Sequence, residues 1–343
     1  MLSLSPTLPR TTLLALALGA MVSFGFAACG GTTNVPKDAA APGEDASADV
    51  QAPLPDEDAS LSDAGSDTTD DRALPDATAD CGTDRLRVVA GNLSGTGATY
   101  DDGRGARIFK GLSPDVALVQ ELRYGDDSAA AQRAFVDEAF GPTFAFVRGR
   151  LSNGSDIPNA VVSRFPILAS GEWTDPEVGN RTFVWAQIDV PGPRDLYAVS
   201  VHLLTTNATA RNLEAKALVA EIAKLPPGSL VVLGGDLNTT VRNETALGTF
   251  AGTLATDGPF PVDQAGNTNT NEPRSRPYDW VLAAPTLDAC RTPVTIGAQT
   301  FPSGLVFDSR VYTPLEDVTP VRMSDSASPL QHMAIVRDFV LPR

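Results

Sequence analysis

The chain has 343 residues, 42% of them hydrophobic and 20% charged, with a formal net charge of −16, three cysteines and two histidines. That length allows one large domain or two ordinary ones. The acidic balance excludes a surface that coats nucleic acid indiscriminately, because sequence-independent affinity for phosphate backbones comes from clustered Lys and Arg.

The first stretch carries one positive charge, Arg10, then an apolar segment from Leu13 to Phe26 and the sequence Ala27-Ala28-Cys29-Gly30. This order reads as an export signal over residues 1–28, and the apolar run is short for a membrane span. A small-residue pair before a lone cysteine resembles the bacterial lipoprotein lipobox, with Phe26 where leucine is commonest. The resemblance implies lipidation at Cys29, a membrane anchor and display on the bacterial envelope; cleavage near Ala28 with Cys29 incidental is the simpler alternative. Residues 29–80 follow as an acidic linker. From residue 30 to 80 thirteen acidic side chains face two basic ones, a net charge of −11, with almost no large apolar residue. Such a segment cannot bury enough surface to offset its chain entropy and is expected to be disordered. The remainder carries −6, which leaves room for a substrate held locally. Cys81 and Cys290, the pair left when Cys29 is set aside, read as one disulfide in an exported protein, with two free thiols as the alternative.

Residues 81–343 read as one domain. Leu86 to Asn92 is a strand ending in a polar turn; Arg104 to Leu112 is a helix closed by Gly111 and Pro114; Asp115 to Glu121 is a buried strand with a carboxylate at its end. Ser128 to Phe140 has helical spacing. Phe144 to Val147, Ala160 to Ser163, Phe183 to Val190 and Asp195 to Leu203 follow as a strand meander, the last carrying His202. Asn212 to Leu225 is the best helix, with Leu213, Ala217, Leu218 and Ile222 on one face. Leu230 to Asn238 is a buried strand whose paired glycines bring out Asp236 and Asn238 at its C-terminal edge, where open α/β sheets keep their chemistry. A polar region without periodicity precedes Tyr278 to Leu282, a strand that begins with Asp279. Pro302 to Val311 and Met333 to Val340 are the last strands, with His332 just ahead of the second. Strand meanders alternating with a few helices fit a two-sheet core covered by helices.

Polar residues thus recur at strand ends: Asn92, Glu121, His202, Asp236, Asn238, Asp279 and His332. Each is a weak signal alone, since Asp and Asn cap turns and a strand-edge histidine is often structural. Together with Asn159-Ala160-Val161-Val162-Ser163-Arg164-Phe165-Pro166, Val199-Ser200-Val201-His202, Gly234-Gly235-Asp236-Leu237-Asn238, Tyr278-Asp279-Trp280 and His332-Met333-Ala334, in this order and spacing, they resemble the endonuclease/exonuclease/phosphatase family, the DNase-I-like fold. The resemblance implies a four-layered α-β-β-α sandwich with two mixed sheets flanked by helices. It also implies a metal-dependent phosphoester hydrolase using Mg²⁺, with Mn²⁺ as an alternative. Glu121 and Asn92 would hold the metal, and Asp236 would activate water. Asn238, His202 and Asn159 would contact the phosphate. His332 would act at a nonbridging oxygen with its tautomer fixed by Asp279. For Arg164 and Arg181 the plain alternative is a surface salt bridge.

One position departs from the family pattern. Leu330-Gln331 precede His332 where Ser-Asp is usual, so a metal-binding carboxylate is missing and Asp325 is the substitute within reach of a folded-back loop. A nucleic acid, a phospholipid head group or a small phosphate ester remain as substrates, and no protein partner is implied. A catalytically inactive envelope binding module is the reading of another class.

Overall fold

The computed structural model describes residues 80–343; the export segment, Cys29 and the acidic linker up to residue 79 lie outside the described residues. The first half of the domain runs β1 (Cys81–Gly91), α1 (Arg104–Leu112), β2 (Val116–Val119), α2 (Ala129–Ala139), β3 (Ala145–Arg148), β4 (Ala160–Ser163), β5 (Ile167–Thr174), β6 (Thr182–Ile188) and β7 (Leu196–His202). The second half runs α3 (Ala208–Ile222), β8 (Leu230–Asp236), α4 (Thr245–Phe250), β9 (Asp279–Ala283), α5 (Pro285–Asp288), β10 (Arg291–Thr292), β11 (Val294–Ile296), β12 (Gln299–Phe301), β13 (Leu305–Phe307) and β14 (Ala334–Pro342).

The strands build two principal sheets. One has the order β10-β14-β1-β2-β4-β3 with β13 also paired to β14, and the other has the order β5-β6-β7-β8-β9. Period-two alternation gives the central strands two apolar faces. Val88 and Ala90 of β1, Leu118 of β2, Ala198 of β7 and Val232 of β8 meet in a core between the sheets. Val89, Ala117 and Val119 turn the other way onto Phe109, Leu112 and Phe135 of α1 and α2. Val199, Val201 and Leu233 turn outward onto Leu218 of α3 and Phe250 of α4. The result is four layers, helix, sheet, sheet, helix. Because both faces of each sheet are covered, the central strands read as nearly unbroken apolar runs.

Polarity of the strands places the polar ends together. β1 and β2 are parallel, as are β7 and β8, so the C-terminal ends of all four open onto one edge. β9 is antiparallel to β8 and β14 to β1, which brings the N-terminal ends of β9 and β14 to that same edge. At the opposite end a disulfide joins Cys81 to Cys290, with Cα atoms 5.6 Å apart.

Several sequence expectations shift here. The helix expected from Asn212 begins at Ala208, capped by the Asn207 side chain, which accepts from the Thr209 and Ala210 N–H groups. Its inward face is Ala210, Arg211, Glu214, Ala215, Leu218 and Ile222, while Leu213 is exposed. The polar members of that face have partners. Arg211 makes a two-pronged bond to Glu244 at 2.8 and 2.9 Å, and Glu214 accepts from Leu204 N–H. The strand expected over Pro302 to Val311 shrinks to Leu305–Phe307. Asp308 just beyond it is held by Arg274 and Arg310, which turns the chain out of the sheet. β5 was missed because it lies at a sheet edge with largely exposed or half-buried residues, and so carries no clean apolar alternation.

Candidate active site

The end of each central strand, or the turn just after it, delivers one side chain of the cluster. Asn92 follows β1 and Glu121 follows β2, while His202 ends β7 and Asp236 ends β8; in register, His202 lies beside Asp236 and Asp236 beside Asp279. Glu121 and Asn238 both sit at positive φ, 54° and 52°, so the backbone turns sharply at two of the side chains that face this edge. Gly235 supplies the close approach. Its φ is 135°, and a Cβ there would lie 2.1 Å from the Val201 carbonyl oxygen and 2.5 Å from Gln120 Nε2. Only glycine lets β8 press against β7 immediately before Asp236.

The side chains form a continuous network. Asn92 Nδ2 donates to Glu121 Oε1 at 3.0 Å and to Asp236 Oδ2 at 3.4 Å. Ser94 Oγ donates to Glu121 Oε2 at 2.6 Å and lies 3.1 Å from Asn92 Oδ1. Asp236 Oδ2 is 3.4 Å from Nε2 of both His202 and His332, and its Oδ1 accepts the Asn238 N–H at 3.0 Å. His332 Nδ1 lies 3.0 Å from Asp279 Oδ2. The Asp279 N–H donates to Thr270 Oγ1, and the Tyr278 ring lies 5.7 Å from the His332 ring.

Burial sets the charges. Desolvation raises Asp236 to about 7 against the lowering influence of His332. Burial also works against protonation of His332, but the carboxylates of Asp236 and Asp279 outweigh it and lift His332 to about 10. His202 goes the other way. Desolvation, with the cations of Arg181 and His332 nearby, pushes it well below the usual imidazole value. At neutral pH the site therefore holds one cationic imidazole clamped between two carboxyl groups and one neutral imidazole.

The remaining expected residues divide. Asn238 commits one amide hydrogen to the Leu203 carbonyl at 2.9 Å, leaving one for the cleft. Asn159 is buried, donating to the Thr182 carbonyl, and its Oδ1 has no partner. It does not join the hydrogen-bonded cluster. Arg164 pairs with Asp115 at 2.7 Å on the surface, the plain alternative. Arg181 does not: it is buried and donates to the His202 and Leu203 carbonyls at 2.7 and 3.0 Å, bracing the end of β7. Gln331 is exposed, and Asp325 does not replace the missing carboxylate, because Arg107 grips both its oxygens at 2.6 and 2.9 Å.

Sequence reasoning missed Ser94, Thr270 and a buried carboxyl pair behind β7. Asp175 and Glu214 lie in each other's field there; burial lifts Glu214 to about 8 and raises Asp175 too. Ser94 had one available signal, its place two residues after Asn92; the others had none.

Two donor sets are available to a cation. Asp236, Asp279 and His332 each offer an atom within 4.8 Å of the others. A protonated His332 has no lone pair to give, however, so the oxygen pair of Glu121 and Asn92 suits a hard divalent ion better. Glu121 is the most open carboxylate of the cluster, with 14% of its side chain exposed against 1% for Asp236. His202 Nδ1, 3.7 Å from Glu121 Oε1, and Asp279 Oδ1 are buried without a hydrogen-bond partner in the protein, as polar atoms that a bound group could engage.

Residues 92–323 match the sequence profile described as Endonuclease/Exonuclease/phosphatase family. The chain belongs to this family. Among solved structures it is similar to an endonuclease/exonuclease/phosphatase from Beutenbergia cavernae, at 19% identity and TM-score 0.53 over 75% of this chain and 72% of that one. It is similar also to the family protein from Bacteroides vulgatus, at 15% identity and TM-score 0.52 over 75% and 99%. D. rerio TDP2, solved with a single-strand DNA product, aligns at 17% identity and TM-score 0.51 over 74% and 98%. No match was found among curated proteins. At these identities the structural likeness establishes the DNase-I-like fold, and members of this family hydrolyse phosphoesters, typically with a divalent metal.

Proposed function

We propose that the protein is a Mg²⁺-dependent phosphodiesterase, with Mn²⁺ as an alternative ion, acting by water attack on a phosphate ester. The observation that carries this is Asp236 buried within 3.4 Å of two imidazoles, one of them clamped by Asp279. Glu121 and Asn92 would hold the ion, which when bound neutralises phosphoryl oxygens and leaving-group charge. Asp236, poised near neutrality, takes a proton from the attacking water. His332, kept cationic, turns Nε2–H toward a nonbridging oxygen as charge grows there. Asp279 fixes the ring by accepting from Nδ1, and Asn238 steadies Asp236 through its backbone N–H while its free amide hydrogen meets the phosphate. Neutral His202 offers a second donor. Ser94 holds Asn92 and Glu121 in register.

Among substrates, a nucleic acid or a small soluble diester is favoured over a membrane phospholipid. The large apolar side chains exposed among the described residues are Leu168, Leu213, Val241 and Met323, scattered singly and none aromatic, which supports no membrane-inserting hairpin. Exposed Gln331 favours the inactive binding module, but the intact Asp236–His332–Asp279 contact weighs against it. The full-length chain is to be assayed with Mg²⁺ or Mn²⁺ on bis(p-nitrophenyl) phosphate, single-stranded DNA and sphingomyelin. Turnover abolished by EDTA and by Asp236→Asn is expected; turnover that survives either overturns the mechanism. Metal binding without turnover on any substrate supports the binding module.

We further infer an envelope location through a lipid on Cys29, supported by the Ala27-Ala28-Cys29-Gly30 sequence. Labelled palmitate should enter the wild type and not Cys29→Ala; equal labelling of the two refutes the anchor.

A further inference from the structure

Arg337 lies on β14 five residues beyond His332, roughly 16 Å along the strand from the edge that carries the site. It is 6% exposed, yet its Nε and Nη1 have no hydrogen-bond partner. Other partly buried arginines behave differently. Arg87, Arg274 and Arg310 each spend their guanidinium nitrogens on carboxylates and carbonyls. Burying a cation with open donors is unfavourable unless something pairs with it.

Arg337 lines a cavity of about 150 Å³, walled by Pro259 and Pro302 and lined also by Arg291, Thr292 and Ser303. Asp338 also borders it, but both its oxygens are held by Arg87 at 2.8 Å. Arg291 is bonded to Asp288 at 3.0 Å. Two guanidinium groups thus share one carboxylate, and Arg242 adds further positive field at Arg337. A single water needs only about 10–15 Å³ of such space, so the cavity has room for a tetrahedral oxyanion. The hydroxyls of Thr292 and Ser303 supply further donors, and Arg337 is a planar fork suited to a phosphate.

We propose that this cavity is an anion site, binding a single phosphate or sulfate group on Arg337 with Arg291, Thr292 and Ser303 around it. Burial and the neighbouring Arg291 push the Arg337 guanidinium down to about 10, the response of a cation short of counter-charge. The site lies away from the catalytic edge and does not depend on the hydrolase reading. Its ligand is either the free ion or the phosphate end of a small ester, and binding to the folded state alone would stabilise the domain by mass action.

Titration of the full-length chain with inorganic phosphate in EDTA, by calorimetry and thermal melts at constant ionic strength, tests this. Saturable binding with a rise in Tm is expected, unchanged in His332→Ala, weakened about tenfold or more in Arg337→Leu and severalfold in Arg291→Gln. Arg291 lies partly at the surface, so Arg291→Gln keeps the test open if Arg337→Leu folds poorly. Glycerol 3-phosphate separates the sources: binding as tight as phosphate indicates an ester end, and absence of binding indicates the free ion. The proposal is overturned if phosphate acts no more strongly than chloride, if both arginine variants bind normally, or if His332→Ala abolishes binding.

Discussion

Replacing Asp279 by Asn tests how the charge on His332 is maintained. The change keeps the size of the side chain and a carbonyl to accept from Nδ1, but removes a buried negative charge 3.0 Å from the ring. His332 has a folded value of about 10 against an ordinary 6.5. At 1.36 kcal/mol per unit, that gap corresponds to about 5 kcal/mol of stability. This contribution is fully present below pH 6.5 and disappears as pH rises through 10, because the folded state then no longer binds an extra proton. Asp236 and Glu121 also sustain the shift, so Asp279 accounts for a share of about 2 kcal/mol. Urea denaturation in EDTA at pH 6, 8 and 10.5 should show Asp279→Asn less stable by about 2 kcal/mol at pH 6, with the difference vanishing at pH 10.5. On the catalytic side kcat should fall about 10²-fold or more with little change in KM, since the clamp acts in the transition state. A stability difference independent of pH, or a kcat within about threefold of wild type, would refute the reasoning.

Three further outcomes are expected. Glu214, raised to about 8 from 4.5, binds its proton more tightly folded than unfolded. Stability should therefore decline between about pH 4.5 and pH 8, and Glu214→Gln, which has no proton to lose over that range, should flatten that decline in thermal melts. Gly235→Ala should lower stability by about 3 kcal/mol or more and dislodge Asp236, because the added methyl meets the Val201 carbonyl; calorimetry on the variant decides this. Asn207→Ala removes an N-cap with two accepted bonds and should cost about 1 kcal/mol in urea unfolding, with activity unaffected.

What could be read from the chain depended on how local the cause was. Glu121, Asp236 and Asp279 stood out because a buried strand announces its own end, and a polar residue there has few places to go but the sheet edge. Ala160–Ser163 and Arg104–Leu112 were legible for the same reason: short apolar runs and breakers fix their limits. Leu213 misled because α3 faces the core with Arg211 and Glu214, whose partners Glu244 and Leu204 lie on other segments. Arg181 is picked out by the sequence, but its role is not legible there. Nothing near it in sequence tells that two carbonyls at the end of β7 will need donors. Asp325 shows the converse, a carboxylate of the right type near His332 that tertiary pairing with Arg107 has already claimed.

The bond between β1 and β14 has a practical side. Cys81 pairs with Pro342, and Arg343 N–H donates to the Asp80 carbonyl at 2.8 Å, on the side of the sheet away from Asn92 and His332. Residues 80 and 343 are thus neighbours, and a short Gly-Ser bridge between them should permit a circular permutant opened at an exposed loop such as 226–229. A bead, a fluorophore or a fused reporter attached at that pole would leave the edge that carries Asn92, Asp236 and His332 facing outward.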